Sequence, residues 1–200
     1  MKIGVIVSSL RTKSESSKVG EFLSSKLKEM SVDVWTLDLG KNPLPLWEET
    51  SSSKEVWDGV WKPIDENLKN SEGFVIVTPE YNGMASPAIK NFFLYAGLAQ
   101  MGHKPALLAS VSSGRGGAFP IQELRGSSYK NSKICYIPEH LIFRDAEHLL
   151  LGAEPASEED RYIRERSAFA LRILLAYATA LSEIRESGVV VDPKFRNGMS

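Results

Sequence analysis

Gly73-Phe74-Val75-Ile76-Val77-Thr78-Pro79-Glu80-Tyr81-Asn82-Gly83 is an apolar run that ends in a rigid, aromatic, glycine-terminated turn. An apolar run with no polar alternation reads as a strand covered on both faces, as in a parallel sheet. Proline pre-sets one backbone dihedral, and glycine permits positive φ and close backbone approach. Such a turn can present backbone N–H groups and a flat ring to a planar ligand. Far upstream, Ile3-Gly4-Val5-Ile6-Val7 is a second run of this kind. It ends in Ser8-Ser9-Leu10-Arg11, a hydroxyl-rich loop with one fixed cation.

Working outward, apolar runs and helical patterns alternate. Strands are predicted at residues 2–8, 32–37, 73–78, 106–111 and 133–137, and helices at 14–30, 54–70, 86–99, 117–127 and 158–186. In the first helix Val19, Phe22, Leu23, Leu27 and Met30 recur at helical spacing behind a polar start, Ser14-Glu15-Ser16. Repeated strand–helix alternation implies parallel βαβ units with right-handed crossovers. The expected fold is a doubly wound α/β domain over residues 1–186, its five-stranded parallel sheet ordered 2-1-3-4-5 between helices, with residues 187–200 as a tail. The stretch Asn42-Pro43-Leu44-Pro45-Leu46-Trp47 and the serine-rich residues after it read as a long ordered loop with a mobile end.

The 200 residues, 42% of them hydrophobic, suffice for one core. Lys+Arg 24 against Asp+Glu 25 leaves a net charge of −1, so no broad attraction to nucleic acid or anionic membrane is expected. The single cysteine, Cys135, excludes an intrachain disulfide and reads as a small core residue. No apolar leader precedes the first strand, and no run approaches the 18 or so apolar residues of a membrane span. A cytoplasmic protein is the expectation. His103, His140 and His148 lack metal-ligand spacing, and no catalytic dyad stands out.

In such sheets ligands bind beyond the C-terminal strand ends where strand order reverses, here between strands one and three. Those strands deliver the two loops described above. On one side, a helix N-terminus offers unpaired N–H groups and about half a positive charge. Ser9, Ser14 and Ser16 can add hydroxyl donors there, and Arg11 can grip two phosphate oxygens; alternatively, Ser14 or Ser16 simply caps the helix. On the other side, N–H groups around Asn82 and Gly83 suit the edge of a flavin and Tyr81 its face. Together the loops point to a flavin mononucleotide (FMN) site. Neither GxxxxGK[ST] nor GxGxxG is present, which disfavours a P-loop and a dinucleotide Rossmann site. A third loop, Ser112-Ser113-Gly114-Arg115-Gly116-Gly117, allows further backbone approach.

Ser9-Leu10-Arg11 with Ser14 and Ser16, Pro79-Glu80-Tyr81-Asn82-Gly83, Pro87 with Ile89-Lys90-Asn91, and Ser113-Gly114 with Gly116-Gly117 occur in this order. The combination resembles the NAD(P)H-dependent FMN reductases, a flavodoxin-like group that includes azo-, quinone and chromate reductases, over roughly residues 1–150. The resemblance implies a flavodoxin-like three-layer sandwich, non-covalent FMN, NAD(P)H as co-substrate and ping-pong reduction of a small-molecule acceptor. It places Ser9, Arg11, Ser14 and Ser16 on the phosphate, Pro79, Glu80, Tyr81, Asn82 and Gly83 at the isoalloxazine ring, and Ser113 and Gly114 on its far side. It also implies a homodimer or homotetramer; Trp47, Trp57 and Trp61, large rings beside the proline-rich loop, fit the core, a subunit interface or a wall of the site. Ser8 replaces a usual glycine, Ser16 a usual asparagine, and Leu94-Tyr95 follow where an aspartate and tryptophan are common. An electron-carrier flavodoxin is the competing reading, against which stand Arg11 and the near-neutral charge; a flavodoxin-like module without cofactor is the third.

Overall fold

The computed structural model describes residues 1–195. The strands are β1 (Lys2–Val7), β2 (Asp33–Asp38), β3 (Gly73–Tyr81), β4 (Met84–Ala85), β5 (Pro105–Val111) and β6 (Cys135–Phe143). The main helices are α1 (Glu15–Glu29), α2 (Lys62–Lys69), α3 (Pro87–Tyr95), α4 (Ala118–Ser127) and α5 (Glu158–Glu186). The parallel path runs β2-β1-β3-β5-β6, which is the expected order once the short arm β4, antiparallel to β3, is set aside.

Strand alternation divides the core into two layers. Ile3, Val5 and Val7 of β1 and Val75 and Val77 of β3 pack with Val19, Leu23 and Leu27 of α1 and Ala170, Leu171 and Leu174 of α5. Ile6, Phe74 and Ile76 face the other way, onto Ile64 and Leu68 of α2, Ile89 and Phe92 of α3, and Ile121 and Leu124 of α4. Each such large apolar side chain contributes about 1.5–3 kcal/mol when fully buried. Both sheet faces are therefore apolar, which is why the strands read as continuous runs.

Three elements depart from the sequence reading. The helix expected at 54–70 is composite: one turn at Lys54–Val56, a π-helical segment at Trp57–Trp61, then α2. Pro63 lies in the first turn of α2, where its missing N–H costs nothing, but it cannot continue the ladder from upstream. The helix expected at 86–99 stops at Tyr95, because Ala96 (φ −88°, ψ 105°) turns extended ahead of Gly97. Strand β6 runs six residues past its expected end, with a register shift opposite Ala106 and Leu108. The Arg125 guanidinium donates to the carbonyls of Ile137 (2.6 Å) and Pro138 (3.2 Å), satisfying the irregular backbone. Of the tryptophans read as core or interface, Trp61 is in the core, 1% exposed with its ring 5.3 Å from that of Tyr95, whereas Trp47 and Trp57 are exposed.

The proline-rich loop is held by side chains of α3. Asn91 donates to the Pro45 carbonyl (2.8 Å) and accepts from the Trp47 amide (2.8 Å), and the Tyr95 hydroxyl donates to Pro45 (3.1 Å). Cys135 is half-buried, and that burial pushes its thiol up against a weaker opposing pull from Arg185. Helix α5 has the length and apolar composition of a membrane span, which the reading by continuous runs missed; one face of it is buried on the sheet. Of the tail expected at 187–200, residues 196–200 lie outside the described residues.

Candidate FMN site

The loops after β1, β3 and β5 leave one edge of the sheet side by side. Val7 pairs with Val77 and Pro79 with Val111, so residues 8–14, 79–83 and 112–117 emerge together. This is the reversal point between β1 and β3. The Ser8 amide and hydroxyl both donate to the Val77 carbonyl (3.0 and 3.1 Å). The hydroxyl that replaces a usual glycine thus stitches the two strand ends together.

The first loop is rich in unused donors. Ser14 caps α1, its hydroxyl accepting from the Ser17 amide at 3.0 Å. Among the described residues, the amides of residues 12–16 donate to no protein acceptor, and the hydroxyl of Ser16, a largely buried residue, makes no hydrogen bond to the protein. Arg11 is exposed, has no carboxylate partner among the described residues, and lies 5.6 Å from the Tyr81 ring centroid. A helix N-terminus, a free guanidinium and a spare hydroxyl together form an anion cradle.

Asp38 supports this loop from below, a role that carried no motif. It accepts from the Ser17 hydroxyl (2.9 Å) and the Gly40 amide (2.9 Å). A Cβ on Gly40 would lie 2.3 Å from the Ser9 carbonyl oxygen, a backbone atom that cannot rotate away. Gly40→Ala is therefore expected to displace the loop and weaken FMN binding at least about tenfold, or 1.4 kcal/mol, as read by fluorescence titration. Unchanged affinity would show that the loop tolerates the shift.

The turn after β3 is a two-residue hairpin. Tyr81 pairs with Met84, while Asn82 (φ 50°) and Gly83 (φ 75°) supply the two left-handed positions of a type I′ turn. Their amides are free of protein acceptors among the described residues, and a Cβ on Gly83 would meet nothing within 4 Å. Pro79 is buried within β3 and reaches the site only through its backbone. The Ala85 amide donates to Glu123 (2.7 Å), which also pairs with Lys90. Burial opposes the charge of Glu123, but the Lys90 ammonium and the Ala85 amide outweigh it and hold the carboxyl below its usual range.

The side chains of Tyr81 and Glu80 bridge from the second loop to its two neighbours. The Tyr81 hydroxyl crosses to the first loop, meeting the Ser9 hydroxyl at 2.9 Å and accepting from the Leu10 amide at 3.1 Å. The Glu80 carboxylate crosses to the third loop and accepts from the Gly117 amide at 2.7 Å. Its other oxygen is buried without a partner, an acceptor that a bound N–H donor would satisfy. The ring-side strand thus ties all three loops together.

The third loop is held by its carbonyls. Arg144 donates to Arg115 (2.9 Å) and Gly116 (3.0 Å), and the Asp145 amide donates to Gly114 (2.9 Å). The amides of Ser113, Arg115 and Gly116 have no acceptor among the described residues, and the space beside Gly114 is open. The residues present therefore fit an FMN-shaped group: unpaired donors with a cation at one end, and backbone amides beside glycines bare of neighbours at the other.

Comparison with known proteins agrees with this geometry. An oxidoreductase from Corynebacterium diphtheriae superposes with a TM-score of 0.68 at 17% identity, covering 91% of this chain and 97% of that one, which shows the fold. An NADPH azoreductase of a Bacillus species is 34% identical over 91 residues, 45% of this chain and half of the azoreductase. A 2-hydroxy-1,4-benzoquinone reductase of a Burkholderia species is 29% identical over 168 residues, 80% of this chain and 88% of that enzyme. Residues 1–148, containing all three loops, match the NADPH-dependent FMN reductases, and the chain belongs to that family.

Proposed function

We propose that this chain binds FMN non-covalently where the three loops meet, and uses it to carry electrons from NAD(P)H to a small-molecule acceptor. The acceptor classes are quinones, azo dyes, metal ions and free flavin; among its relatives are an azoreductase and a benzoquinone reductase. The observation that carries the reading is the row of backbone amides unpartnered among the described residues, from residues 12–16, through Asn82 and Gly83, to Ser113, Arg115 and Gly116, at one sheet edge. Bound FMN supplies the chemistry, accepting a hydride and passing two electrons to the acceptor.

The chain's own part is to bind and orient. Arg11, the hydroxyls of Ser14 and Ser16 and the first-turn amides of α1 hold the phosphate, with Ser9 and Tyr81 fixing the loop that presents them. The amides of Asn82 and Gly83 meet one edge of the ring, and Ser113 and Gly114 flank its other side. Glu80 sets the spacing of the second and third loops. Transfer between stacked rings draws mainly on proximity and orientation, so this site needs no acid–base pair. The reading extends to a cytoplasmic homodimer or homotetramer, supported by the lone Cys135 and by the exposure of Leu46 and Trp47 in the proline-rich loop.

The test is anaerobic mixing of the FMN-loaded protein with NADPH, then with a benzoquinone. Bleaching of the flavin absorbance by NADPH and its return on adding quinone are expected. Flavin that binds but is bleached by neither NADPH nor NADH would instead make the chain an electron carrier.

A further inference from the structure

The end of the sheet opposite the three loops carries a cleft of its own. His103 and Lys104 lead into β5, Lys133 and Ile134 into β6, and Glu72 into β3. These strands are parallel, so this end lies about one strand length, roughly 20 Å, from the loops. The cleft measures about 340 Å³. Leu98, Val190, Val191 and Phe195 form its apolar walls, and His103, Lys133 and Arg185 line it beside them. Apolar walls with a few convergent polar groups are the usual make-up of a small-molecule site.

The backbone fixes these polar groups. His103 (φ 55°) and Lys133 (φ 51°) are both left-handed, and the His103 amide donates to the Lys133 carbonyl at 2.8 Å. Non-glycine residues in that region cost energy and persist where surrounding bonds hold them. Arg185 donates to the His103 carbonyl (3.1 Å) and pairs with Glu72, which answers its charge. Lys133 has no carboxylate partner among the described residues, and its ammonium lies 3.5 Å from the Phe195 carbonyl. Asp192, an acid of the rim, accepts from the Lys194 amide (2.8 Å) within its own turn. The His103 Nε2 is buried without a hydrogen-bond partner among the described residues. Burial, then the charges of Lys133 and Arg185, hold this imidazole below its usual range. A neutral ring beside an unanswered ammonium offers an N–H and a cation to one oxyanion.

We propose that this cleft binds a small carboxylate with an apolar tail, its head group held by Lys133 and His103 and its tail by Leu98, Val190, Val191 and Phe195. Inorganic phosphate would leave those walls wet, and a neutral alcohol would leave Lys133 unmatched. The site is a strand length from the loops and stands independently of the flavin reading.

Octanoate tests it, with octan-1-ol and inorganic phosphate as controls, on the chain with and without FMN. By calorimetry octanoate should bind at least about tenfold more tightly than either control, and equally with and without FMN. In NMR titrations the His103 ring signal, identified by its loss in His103→Gln, should move to a higher midpoint with octanoate, because a nearby carboxylate favours the charged ring. His140 and His148 should not move. Lys133→Met keeps the apolar stem and removes the charge, so octanoate should then bind within about threefold of octan-1-ol. A circular dichroism spectrum matching wild type checks that this variant folds. Octanoate that fails to bind, or that leaves His103 unmoved, would overturn the proposal on the wild-type chain alone. Equal binding of octan-1-ol would make this a merely apolar cleft, and equal binding of phosphate a surface cation patch. Undiminished octanoate binding by folded Lys133→Met would put the ligand elsewhere, and each of these results would overturn the proposal too.

Discussion

Asp160→Ala is expected to lower unfolding stability by about 3–5 kcal/mol, the range for removing one partner of a buried charge network. Asp160 is fully buried at the start of α5 and accepts four hydrogen bonds from three groups. Its oxygens take the Leu150 amide (3.1 Å), the Ala156 amide (3.0 Å) and the Arg164 guanidinium (3.0 and 3.3 Å). The substitution strands two amides and a partly buried cation. Burial alone would push this carboxyl up, but the Arg164 and backbone hydrogen bonds outweigh it and hold it below the ordinary range.

The sign of the pH dependence follows. A carboxyl whose folded value is depressed stabilises fully above its unfolded value, near 3.9, and loses that contribution as pH falls through the folded value. Urea unfolding of wild type and variant should thus differ most near neutral pH and converge in acid below about pH 4. A difference under 1 kcal/mol at pH 7 would show that the loop at 150–156 relaxes to satisfy its own donors.

Arg11→Ala should weaken FMN binding roughly 30- to 150-fold while leaving stability within about 0.5 kcal/mol of wild type. The asymmetry comes from geometry. Arg11 is exposed and engages no protein carboxylate among the described residues, so its loss disturbs nothing in the unliganded fold beyond its contact with the Tyr81 ring. A bidentate guanidinium–phosphate contact contributes about 2–3 kcal/mol, which is the affinity lost. Fluorescence-quench titration and urea unfolding on the same preparation check both halves. A large stability loss would make Arg11 a structural residue of the loop.

The parts legible in the sequence were those fixed by local pattern. Ile3-Val5-Val7 and Val75-Val77 sit on one sheet face and Ile6, Phe74 and Ile76 on the other, so continuous apolar runs marked central strands and led to the strand order. The first loop was visible because a helix start and a single arginine are local features. The directions of Tyr81 and Glu80 were not visible, since each bridges to a loop at least 35 residues away in the chain. Asp38, Gly40 and Arg144 act on the backbone of distant loops and leave no motif. Asn82-Gly83 was in plain view as a turn, but the arm Met84–Ala85 is too short to show a strand's alternation. The π-helical segment at Trp57–Trp61 keeps ordinary helical spacing of its tryptophans and so reads as plain helix.

The central claim is that the β1 loop is a phosphate cradle within a flavin site, and comparing FMN with riboflavin isolates it. The two ligands share the ring and ribityl chain and differ only in the phosphate. On the wild-type chain, quench titration should show FMN binding at least about a hundredfold more tightly, and that preference should shrink toward unity in Arg11→Ala through loss of FMN affinity alone. Equal affinity of the wild-type chain for FMN and riboflavin would contradict the account.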